Sequence, residues 1–205
     1  VFSSLFTTVG LLMMIIGGSL AAAQRRLGRL IGYATLVDNG AMFMALGTRQ
    51  VAGVALTVMI LMARPLALGL MTMGLDGLKR LSSGNDSTAN NSAGGVISLA
   101  GAGWRAPWRA VAFVVGGVAM AGFPLSLNFA ARWGLYRLIS ETNLFQAVLA
   151  LMGCAGVMMG VIGVARTLFA PLPKTAALQP TSAGNGSRED PVVLVLIMIL
   201  IGATL

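Results

Sequence analysis

Hydrophobic positions in this chain come in long blocks separated by short polar stretches. Several blocks run to about 18 residues or more, the length at which an apolar stretch reads as a membrane-spanning helix. The pattern predicts seven segments, at residues 3–23, 30–47, 51–77, 109–123, 125–140, 144–169 and 192–205. Grouped, residues 1–77 hold three membrane segments, the third broken near 64–65, and residues 78–108 form a polar loop rich in Ser, Asn and Gly. Residues 109–169 hold three more segments with a proline break near 124, residues 170–190 form a second loop, and residues 191–205 start a further helix. The last apolar run is shorter than a span, and the first residue is Val1. The chain therefore reads as a piece of a larger subunit. No signal peptide is recognisable, because the first run lacks a basic start and a small-residue cleavage site.

Composition sharpens the class. Hydrophobic residues make up 57% and charged residues 10%, against about 45–50% and about 25% in soluble domains. The expected fold is an all-α membrane protein. The net charge of +8 points to membrane topology, since the basic residues lie mostly at segment ends and in loops. Arg25, Arg26, Arg29, Lys79, Arg80, Arg105 and Arg109 fall in the first–second and third–fourth links, and only Arg49 in the second–third and fourth–fifth links. The positive-inside rule puts the first group in the cytoplasm. Nothing resembles a nucleic-acid module, so lipid, not nucleic acid, is the expected surrounding.

The single cysteine, Cys154, lies in an apolar run and reads as a small packing residue, and histidine is absent. Haem, His-ligated metal and a hydrolytic active site are not expected within the chain. Sequons at Asn85, Asn90 and Asn185 follow from Asn/Ser-rich composition. The bias toward Ala, Gly and Arg suggests a bacterial cytoplasmic membrane. Gly156 and Gly160 have the spacing of a close helix contact.

Three ionisable residues fall near the centres of segments: Asp38, Arg64 and Arg132. A charge at the centre of a membrane helix costs about 2.5–3.5 kcal/mol on insertion scales, and such residues usually serve a pathway. Arg64 precedes Pro65, which removes a backbone donor and disfavours helix before it, so a helix break is expected there. The functional reading is a polar focus on an ion pathway; the bland one is a kinked helix with a structural arginine. Arg132 follows the second break, Pro124, and shares a helix face with Asn128. It marks the same path, packs against Trp133 or Tyr136, or meets a neighbouring subunit. Asp38 alone of the three can exchange a proton, because arginine holds its charge. It is otherwise half of a fixed ion pair. Asn39 and Asn128 are the supporting polar groups.

These stretches resemble a family. "AAQRRLGRLIGYATLVDNGAMFMALG" is similar to the basic link and following helix of the antiporter-like subunits of respiratory complex I. "AGFPLSLNFAARWGLY" resembles that family's interrupted helix with its Pro-Pro pair and following lysine, and "LMARPLALGLMTMG" falls where the family has a helix carrying a central lysine. The resemblance covers nearly all of the chain and corresponds to the C-terminal half of such a subunit. It implies about seven transmembrane helices with broken helices, part of an inverted-repeat antiporter-like fold, and a midplane row of charges that carries protons. Arg64 and Arg132 take the places of the two lysines, and Asp38 stands where relatives often have His. Relatives serve complex I, membrane-bound hydrogenases and multisubunit sodium/proton antiporters. The implied partners are other membrane-arm subunits, with flavin, iron–sulfur clusters and quinone held by those partners and no cofactor in this chain. The departures are both lysines replaced by arginine, no histidine, and one proline where the family has two. A lysine relay does not run through arginines, so water and Asp38 carry protons past fixed cations, or this half is a non-conducting scaffold.

Overall fold

A computed structural model describes residues 2–83, 101–124 and 126–171. The sequons, most of both polar loops and the segment 191–205 lie outside these residues. The described chain is helical: α1 (Phe2–Ala23), α2 (Leu27–Gly47), α3 (Val51–Ser83), the single-turn α4 (Ala102–Arg105), α5 (Pro107–Ala121), α6 (Leu127–Thr142) and α7 (Leu144–Leu168). By length and composition α1, α2, α3 and α7 are each able to cross a membrane, and α5 is a shorter apolar helix.

The expected break at Arg64–Pro65 does not occur. α3 runs unbroken through Pro65 for 33 residues. The proline removes the donor for the Leu61 carbonyl, but Pro65 and Leu61 are both exposed. The ring and the freed carbonyl thus lie on the helix's outer face, away from the packed core. The polar loop also starts later than residue 78. Leu78 is fully buried, and Arg80 pairs with Asp76 one turn back at 2.9 Å, so the last turns of α3 persist. Pro107 then starts α5 at the position where its missing N–H costs least.

The helices pack through small residues. A Cβ on Gly10 or on Gly40 would lie 2.6 Å from the other's carbonyl oxygen, which joins α1 to α2. Gly18 on α1 meets the Gly153 backbone on α7, and the Gly156/Gly160 pair extends the seam over the Gly18 and Ala21 carbonyls. Gly116 on α5 lies against the Ala67 carbonyl of α3, where a Cβ would approach to 2.7 Å. Without a hydrophobic drive between helices in lipid, such close backbone approach supplies the cohesion.

Connectivity fixes one further point. The start of α5 lies beside the end of α7, since Trp104 Nε1 donates to the Phe169 carbonyl at 3.2 Å and Gly101 N–H to Thr167 at 3.3 Å. The end of α6 adjoins the start of α7 through Asn143 alone. α5 therefore begins at one membrane face and α6 ends at the other. The two segments expected at 109–123 and 125–140 are halves of one broken crossing, not two full crossings.

A buried ion cluster at a helix break

The break follows from three adjacent residues. Gly122 takes the left-handed conformation, φ 72°, which glycine adopts without penalty. Its N–H bonds the Ala119 carbonyl and that of Phe123 bonds Val118, a Schellman ending of α5. Pro124 follows and has no N–H, so the Met120 carbonyl loses the donor that a continuing helix would supply. Arg132 Nη2 fills that place and donates to Met120 O at 2.9 Å. A side chain on Gly122 would run into the Arg132 stem. The cation thus lies over the negative end of α5, brought there from the second turn of α6.

The same nitrogen donates to Asp38 Oδ1 at 2.8 Å. Asp38, midway along α2, is fully buried, and Arg132 is 1% exposed. Asn128 Nδ2, in the first turn of α6, approaches the same carboxylate oxygen at 3.4 Å. Arg64 Nε stands 4.0 Å from Asp38 Oδ2, and Arg64 Nη1 donates to Asn39 Oδ1 at 2.6 Å. Isolated buried charges are prohibitive in a low dielectric, so pairing is what permits them. Three buried atoms of the cluster, Asp38 Oδ2, Asn128 Oδ1 and Arg132 Nε, make no hydrogen bond among the described residues. Each such atom costs about 1–3 kcal/mol, so the cluster is more polar than its internal pairs satisfy.

The sequence candidates therefore converge. Asp38, Arg64, Arg132, Asn39 and Asn128 form one contiguous group, and Pro124 shapes it. Pro65 does not, since its helix continues. Trp133 is no partner of Arg132; it is exposed and stacks on Phe129 with centroids 6.1 Å apart. Sequence reasoning missed the role of Cys154. Its sulfur accepts from Arg132 Nη1 at 2.7 Å and from Tyr136 Oη at 2.8 Å, so it closes the cluster on the α7 side. A signal existed: Asn128, Arg132, Tyr136 and Ser140 recur every fourth residue on one face of α6, and a polar stripe at that spacing calls for polar partners across the interface.

Residues 1–162 match the family described as "NADH:quinone oxidoreductase/Mrp antiporter, TM". Among curated proteins, the chain is 26% identical over 149 residues to a chloroplastic NAD(P)H-quinone oxidoreductase subunit 5 of Phaseolus vulgaris, covering 72% of this chain and 19% of that protein. It is 27% identical over 160 residues to NADH-quinone oxidoreductase subunit N of Methylovorus glucosotrophus (strain SIP3-4), covering 74% of this chain and 31% of the relative. The chain thus spans a fifth to a third of the length of these relatives. Among solved structures it is similar to a chain of the membrane-bound sulfane sulfur reductase, an archaeal respiratory membrane complex, with TM-score 0.77, 19% identity, and coverage of 98% of this chain and 39% of that one. At that identity the likeness speaks for the fold.

Proposed function

The chain belongs to the NADH:quinone oxidoreductase/Mrp antiporter membrane family, and from that premise we propose that it is a membrane-arm subunit of a complex I-like NAD(P)H–quinone oxidoreductase that takes part in proton translocation. In this reading it is a multi-pass protein of a bacterial cytoplasmic membrane. Flavin, iron–sulfur clusters and quinone sit in partner subunits, and this chain supplies part of the ion path.

The observation that carries the reading is the position of Asp38. It is fully buried midway along α2, bonded through Oδ1 to Arg132, with Oδ2 making no hydrogen bond among the described residues and 4.0 Å from the Arg64 guanidinium. Asp38 is the proton-carrying group, because a carboxylate gains and loses a proton while a guanidinium keeps its own. Arg132 and Arg64 are the fixed counter-charges. A proton arriving at Oδ2 weakens the hold of both arginines, and a cation moving toward Asp38 expels the proton. A charge change elsewhere in the row would thereby drive loading and release.

The test is proton pumping per electron transferred in the assembled complex reconstituted in vesicles. Asp38→Asn, which keeps shape but not charge, and Arg64→Ala should each lower the ratio while the subunits still co-purify. Wild-type pumping in both variants overturns the proposal. A second reading, a non-conducting scaffold, draws on Arg132 Nη2 bonding both Met120 O and Asp38, a clamp between helix end and carboxylate that needs no titration. A third, a cation/proton antiporter subunit with no redox partner, is separated by co-purifying proteins: flavin and iron–sulfur subunits favour the first reading.

A further inference from the structure

A cavity of about 550 Å³ lies between α6 and α7, beneath the 122–124 break. Its lining is mostly apolar, with the one charged side chain, Arg137, toward the α6–α7 turn. Arg137, Ser140 and Leu144 lie near the α6–α7 turn, and Phe123, Phe129 and Met158 lie at its deep end. Trp133, Leu144 and Leu151 on its walls are all more than half exposed, so the cavity opens sideways on the outer side of this chain. A space walled by apolar side chains holds apolar matter more readily than water.

We infer that this cavity binds a membrane phospholipid from the leaflet at the α6–α7 turn, with an acyl chain inside and the phosphate at Arg137. The charge at the mouth fits that occupant. Arg137 is exposed, and its carboxylate neighbour Glu141 comes only to 3.8 Å, longer than a hydrogen bond. That pair is exposed on both sides and long, so it is weak, and the guanidinium can turn to a phosphate, its preferred two-pronged partner. Tyr136 and Cys154 also line the cavity, and both belong to the cluster around Arg132. A seated acyl chain covers that side of the cluster and keeps water of the near face from Arg132. The inference does not depend on which way, or whether, protons move.

The test uses the assembled complex in nanodiscs of phosphatidylglycerol carrying a photoreactive acyl chain, with adducts located by peptide mass spectrometry. Adducts are expected on peptides spanning residues 121–158. Ala155→Trp, which fills the cavity beside Cys154, should reduce them on the order of tenfold, and Arg137→Gln should reduce them less. Unchanged yields in both variants overturn the inference. If the tryptophan variant does not assemble, Arg137→Gln, on the exposed side of α6, decides alone. A charged sulfonated maleimide should label Cys154 about tenfold more slowly than a neutral one, because a sulfonate pays to enter an apolar space. Equal rates mean an aqueous cavity and also overturn it.

Discussion

Gly153 and Cys154 are neighbours on α7, yet they face two different solutions to the same problem. On the Gly153 side, main chain meets main chain: Gly18 and Gly153 pack with no side chain between them, and cohesion comes from close approach. On the Cys154 side, long polar side chains make the contacts, with Arg132 reaching Asp38, Met120 and Cys154 at once. The glycine seam tolerates almost no added atom. The ion cluster has polar atoms that make no hydrogen bond among the described residues, and an open cavity alongside. A membrane bundle can be rigid and dry on one face of a helix and polar on the next, which lets charges sit at mid-span without loosening the fold.

The sharpest way to break this contrast is to remove the cation. Arg132→Met leaves Asp38 buried without its closest partner and Met120 O without a donor. The expected cost is about 3–5 kcal/mol, read as a lower thermal unfolding temperature of the complex. Arg132→Lys should fall between, because one ammonium cannot replace a planar fork that meets three partners. A Met variant as stable as wild type would mean that the cluster contributes nothing to cohesion.

Next in size, Gly18→Leu forces side-chain atoms into the Gly153 backbone. Overpacking of this kind costs about 1–3 kcal/mol or more, seen as reduced assembly or loss of an engineered α1–α7 crosslink. Smallest is the control: Gly163 has open space around its Cβ position, so Gly163→Ala should be neutral or stabilise by up to about 1 kcal/mol. A destabilised Gly163→Ala would show that glycine matters here for some reason other than contact.

Much of this was legible in the sequence, for a physical reason. Burying a charge in lipid is costly, so Asp38, Arg64 and Arg132 stand out against an apolar background, and so do the long apolar runs. Pro124 sits at a break because Gly122, two residues earlier, supplies the turn. Pro65, with the same chemistry, was not a break, because Leu66 and Ala67 resume helix and nothing nearby favours a turn. Backbone preference at a single proline does not outweigh a long helix packed on one face. Cys154 stayed hidden because a thiol in an apolar run resembles any small residue until the opposing helix is known. The pairing of two expected segments into one crossing was equally out of reach, since which face a helix starts from depends on contacts distant in sequence.

The break also acts as a ruler. Arg132 lies eight residues beyond Pro124, and each residue turns a helix by about 100°. Inserting or deleting one residue in that interval would swing the guanidinium to another side of the helix and strand the Met120 carbonyl. The interval should thus accept exchanges of residue type far more readily than any change in its count.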